Sequence, residues 1–113
     1  RDLFKEIEGV TFIETSSTRI KSNHWLNVIC FDNLSVNHKT PQGLLEYLNS
    51  KNIESRFLWK PLHLQHIYTN QSYYGATVAE DLWKSGLCLP SGTGMNNEDL
   101  DRIESALKDY FKV

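Results

Sequence analysis

Apolar positions along the chain switch between helical and extended spacing, and glycine and proline mark most of the changes. Residues 1–8 place Leu3, Phe4 and Ile7 on one face of a helix that Gly9 stops. Residues 15–23 are polar and predict a loop. Residues 25–31 (Trp-Leu-Asn-Val-Ile-Cys-Phe) are nearly continuous in apolar character and predict a central strand covered on both faces. At Thr40-Pro41 a hydroxyl precedes a proline, the signature of an N-cap followed by the first helical position. Leu44, Leu45 and Leu48 then give this helix its buried face, and residues 49–52 end it.

Residues 53–59 predict a second strand, limited by Pro61, and residues 60–74 an irregular stretch. A short helix over 77–85 ends at Gly86. Residues 87–90 (Leu-Cys-Leu-Pro) form a short strand, and residues 91–94 a turn. The last element carries the strongest pattern. Asn96 caps it, acidic residues fill its first turns, and Leu100, Ile103, Ala106, Leu107, Tyr110 and Phe111 form an apolar stripe. The order is helix, strand, helix, strand, helix, strand, helix. It predicts an α+β fold: a small three-stranded, largely antiparallel sheet with helices packed on one face.

Composition narrows the class. A length of 113 residues allows one domain, 1–113, and 40% hydrophobic content supplies one modest core. Twelve basic residues against 14 acidic ones leave a net charge of −2, so no basic field exists to hold a phosphate backbone, and nucleic acid is not an expected partner. No apolar run approaches the roughly 18 residues of a membrane span, and no signal-peptide pattern opens the chain, so the expectation is a cytoplasmic protein without a membrane partner. Cys30 and Cys88 each sit inside an apolar run and read as small buried hydrophobes, reduced rather than bridged. The chain opens at Arg1 rather than Met and is expected to be a piece of something longer.

Candidate chemistry concentrates in residues 54–66. Arg56, Lys60 and His63 could together face an anionic ligand, with Trp59 as a flat apolar wall. The plain alternative has Trp59 filling core, Lys60 solvated and His63 capping a turn. His63 and His66 have no cysteine or carboxylate near them in sequence to complete a zinc set, so no metal is expected. Ser91-Gly92-Thr93-Gly94 lacks the lysine of a phosphate loop and precedes an acidic helix start. No Ser-His-Asp or Cys-His nucleophile set is present, and no catalytic residue is assigned.

Four segments together resemble one family. They are Ile53-Glu54-Ser55-Arg56 with Leu58-Trp59-Lys60-Pro61-Leu62-His63-Leu64-Gln65, then Ala79-Glu80-Asp81-Leu82, then Gly86-Leu87-Cys88-Leu89-Pro90-Ser91-Gly92-Thr93, and finally Asn97-Glu98-Asp99-Leu100 with Arg102-Ile103. Asn23-His24-Trp25-Leu26 fits the same pattern. In this order and spacing they resemble the C-terminal part of the DegT/DnrJ-type nucleotide-sugar aminotransferases, over about residues 1–111. Phe57 departs from it, standing where many relatives have proline.

The resemblance implies the small domain of a fold-type I enzyme that depends on pyridoxal 5'-phosphate. The Schiff-base lysine and the cofactor-phosphate site belong to a missing N-terminal large domain, so this chain alone is expected to bind no cofactor. The parent would move an amino group, from glutamate, to a UDP- or dTDP-linked keto-sugar for polysaccharide biosynthesis. It would work as a homodimer, with this part closing the sugar-nucleotide side of the active site. Trp59, Lys60, His63 and Arg56 are the implied substrate-binding residues. The residues alone also permit a stand-alone α+β module for ligand binding or dimerisation.

Overall fold

The computed structural model describes residues 2–15, 17–32 and 36–113. Arg1 of the first predicted helix and position 16 of the predicted loop lie outside them. The chain runs α1 (Asp2–Lys5), β1 (Val10–Phe12), β2 (Asn27–Phe31), α2 (Pro41–Ser50), β3 (Arg56–Phe57), α3 (Val78–Ser85), β4 (Gly86–Leu89) and α4 (Asn97–Phe111). Two 3₁₀ turns, Leu62–Leu64 and His66–Tyr68, occupy the stretch before α3.

The sheet is antiparallel throughout, in the order β1-β2-β4-β3. The α+β class and the antiparallel sheet stand, but there are four strands rather than three. The additional one is β1, a three-residue strand that pairs Val10 with Phe31 and Phe12 with Ile29. It begins directly after Gly9, whose φ of +77° turns the chain back from α1, and whose Cβ, if present, would lie 2.7 Å from Val36 Cγ2.

Alternation along the strands divides the side chains between two faces. Ile29, Phe31, Leu87 and Leu89 point into the core. There they meet Phe4 of α1, Leu44 and Leu48 of α2, and Leu107 and Phe111 of α4. Val28 and Cys30 take the other face and are only half-buried, so β2 is not sealed on both sides as its apolar run suggests. Trp25 lies before the strand and is 70% exposed. α3 buries no residue in the core and lies against β2. Both cysteines are free. Burial pushes both thiols up, and Cys88 also feels Cys30, so neither is poised as a nucleophile.

The helix ends follow the local chemistry of the sequence. Thr40 Oγ1 accepts from the Gly43 N–H at 3.1 Å and Pro41 opens α2. Asn96 and Asp99 form a reciprocal capping box at the start of α4, both bonds being 3.0 Å. Arg102 on α4 donates to the Lys51 and Asn52 carbonyls and so caps the far end of α2. Predicted extents change in several places, and the strand expected over 25–31 begins only at Asn27. The first helix is a single turn, and the strand expected over 53–59 pairs with β4 only at Arg56 and Phe57. Leu100 was expected on the buried stripe but is 49% exposed. It lines an open cleft of about 460 Å³ with Leu3, Phe12 and Ile103.

Candidate functional site

The irregular stretch after β3 forms a loop held from below by α3. Strand pairing stops at Phe57, and Pro61, which lacks an N–H and has a φ of −52°, leads into the two 3₁₀ turns. The Gln65 amide donates to the Lys60 carbonyl at 3.1 Å, closing the loop on itself. Tyr73 O–H donates to the Ala76 carbonyl at 2.7 Å, which fixes the return toward α3.

His63 is the anchor of this arrangement. Its Nε2 lies 3.0 Å from Glu80 Oε1 on α3, and its ring stacks on Tyr73 with centroids 3.8 Å apart and planes tilted by 19°. The His63 and Glu80 side chains are 16% and 26% exposed, so the bond is partly shielded from water. Glu80 also meets Lys84, one turn along, at 3.7 Å.

Trp59, by contrast, stays out of the core. It is 65% exposed and packs on Trp25, ring centroids 6.2 Å apart at a tilt of 32°. Lys60 extends its ammonium over the Trp83 ring, 5.7 Å from the centroid. Arg56 is exposed and bound to Glu54, Nε to Oε1 2.7 Å. No hydrogen bond or ring contact among the described residues joins Arg56 to Lys60 or His63. Trp59, Lys60 and His63 thus share one loop, while Arg56 has its charge matched by a neighbour.

Glu80, Tyr73, Trp83 and Trp25 were not picked as site residues from sequence. Ala79-Glu80-Asp81-Leu82 was visible as a motif, but its contact with His63 spans 17 positions and has no local signature. The exposure of Trp25 was equally hidden, since tryptophan in an apolar run looks like core.

Pyridoxal phosphate needs a lysine for its imine, a partner for its ring and donors for its phosphate. The described lysines are otherwise engaged: Lys39 donates to the Tyr110 carbonyl, Lys60 covers Trp83, and Lys5, Lys84, Lys108 and Lys112 pair with carboxylates. Lys51 lies over the Tyr47 ring. Lys21 lines an open concavity of about 590 Å³ with Glu14, but that lining offers no Phe, Tyr or Trp ring and no helix N-terminus. The described residues do not fit a cofactor site of their own.

Comparison with known proteins gives this geometry its context. Residues 1–108 match the DegT/DnrJ/EryC1/StrS aminotransferase family. The chain belongs to that family. It is 35% identical over 109 residues to the Bacillus subtilis (strain 168) protein EpsN, whose name describes a pyridoxal phosphate-dependent aminotransferase. That match covers 93% of this chain and 27% of EpsN. GDP-perosamine synthase of Escherichia coli O157:H7 is 25% identical over 111 residues, covering 97% of this chain and 29% of the enzyme. Among solved structures, a DegT DnrJ EryC1 StrS aminotransferase from Brucella abortus superposes with a TM-score of 0.79 at 25% identity, covering 99% of this chain and 28% of that one. This DegT/DnrJ/EryC1/StrS chain therefore spans under a third of the length of the relatives it matches. No helix among the described residues is long and apolar enough to cross a membrane.

Proposed function

We propose that this chain is the small, C-terminal domain of a longer pyridoxal phosphate-dependent aminotransferase that acts in the cytoplasm as a homodimer. The parent transfers an amino group from glutamate to a UDP- or dTDP-linked keto-sugar. In this reading the 59–63 turn closes the sugar-nucleotide side of the site. The cofactor and its lysine belong to the large domain that this chain does not supply.

One observation carries the assignment of the turn. An exposed indole, Trp59, shares with Lys60 and His63 one loop, which the His63–Glu80 bond fixes to α3. A base or sugar ring can lie on the indole, and a diphosphate can accept from the ammonium. Arg56 is a weaker contributor, because Glu54 already occupies its guanidinium.

Kinetics of the full-length protein test this. Lys60→Met keeps most of the packing on Trp83 and removes the charge. It should raise KM for the keto-sugar nucleotide about tenfold, the scale of one lost charge-assisted hydrogen bond. His63→Ala should raise the same KM by about three- to tenfold. The half-reaction with glutamate, a donor too small to reach this turn, should change little in both. Unchanged KM for the nucleotide sugar in both variants would make the turn purely structural.

A further inference from the structure

The bond between His63 and Glu80 decides which edge of the imidazole can serve a ligand. Glu80 is a carboxylate and only accepts, so at 3.0 Å the hydrogen lies on His63 Nε2. Tyr73 covers one ring face at 3.8 Å. Nδ1 has no partner among the described residues and is not among their buried unpaired atoms, so that edge remains open. Lys84 lies 3.7 Å from the other Glu80 oxygen and holds the carboxylate from behind. A neutral ring with its hydrogen on Nε2 carries a lone pair on Nδ1 and can only accept there.

We propose that Glu80 is a positioning residue that fixes His63 in its Nε2–H tautomer, so that Nδ1 accepts a hydrogen bond from a hydroxyl of the sugar. This rests on the reading of the 59–63 turn as substrate-facing and refines it. His63 then addresses the sugar rather than the diphosphate, and Lys60 alone supplies positive charge. Glu80 itself touches no substrate. Its carboxylate acts through the imidazole, as outer carboxylates do in setting which nitrogen of a histidine is protonated.

Two measurements on the full-length protein decide the matter. In ¹⁵N spectra of the free protein near neutral pH, His63 should show a protonated Nε2 and an unprotonated Nδ1. Glu80→Gln keeps a partner for Nε2 but can donate as well as accept, so it should yield a mixture of tautomers. Hydrogen on both nitrogens, or on Nδ1 alone in the wild type, would overturn the proposal.

The second measurement is KM for UDP- and dTDP-linked 4-keto-6-deoxy sugars. Glu80→Ala should raise it about as much as His63→Ala does, with kcat for the glutamate half-reaction unchanged. The double variant should be no worse than either single one, because both remove the same contact. Glu80→Gln should fall between wild type and Glu80→Ala. If His63→Ala raises KM and Glu80→Ala does not, the positioning role fails while the substrate-facing turn stands. If neither raises it, or the wild type aminates neither sugar, the underlying reading fails with it.

Discussion

Leu107→Ala is expected to destabilise the fold by about 2–5 kcal/mol, the range for emptying a tightly packed aliphatic site. Leu107 is 3% exposed and meets the core formed by Ile29, Leu44, Leu87 and Phe111. Its side chain is almost wholly out of water, so truncation removes apolar contact and leaves a space that α4, pinned by its capping box and by Arg102, cannot readily close. Leu100→Ala on the same helix should cost roughly 1 kcal/mol or less, because that side chain is half in water already. Lys108→Ala should change the midpoint little, since its pairing with Glu104 is a surface contact. Urea unfolding at constant m-value ranks the three. Leu100→Ala as the most damaging would mean that the face of α4 is misassigned.

Gly86→Ala should also destabilise, by about 1–3 kcal/mol. Gly86 opens β4 opposite Cys30 and its N–H bonds back to the Leu82 carbonyl, so helix and strand join with no linker. A Cβ there would run into Leu58 Cδ1 and lie 2.7 Å from the Leu82 oxygen. The leucine can rotate away, but the carbonyl belongs to the last turn of α3 and cannot. Backbone freedom alone argues the other way. Gly86 has an ordinary extended φ of −95°, and glycine to alanine at such a site usually gains about 0.4–1 kcal/mol through the unfolded chain. The clash with backbone outweighs that gain. Combining Gly86→Ala with Leu58→Ala should not rescue the loss, and full rescue would place the obstruction on Leu58 instead.

Elements with their own chemistry at each end were legible in the sequence. Thr40-Pro41 marks the start of α2, and Asn96 with Asp99 marks that of α4, because caps act within a single turn. β1 was missed because Val10-Thr11-Phe12 shows one alternation only, too short to separate from the turn before it. Its existence depends on β2 lying alongside. The strand over 53–59 was overextended for a related reason. Ile53 and Ser55 are buried by packing without being paired in the ladder. Leu100 shows that periodicity reports an apolar face without reporting what covers it.

The candidate site divides the same way. Trp59, Lys60 and His63 stood out because they lie on one loop and carry the right chemistry. Trp25 and Glu80 join them only through contacts across the fold. Residue type gives His63 both an acceptor and a donor role, and only the position of Glu80 chooses between them.

The most direct test of the account follows isotope through the full-length protein. With pyridoxal phosphate, ¹⁵N-labelled glutamate and a UDP- or dTDP-linked 4-keto-6-deoxy sugar, the label should appear in the nucleotide sugar as an amine, with one 2-oxoglutarate formed per amine. Conversion of glutamate by the cofactor-loaded protein with no label reaching either sugar would contradict it.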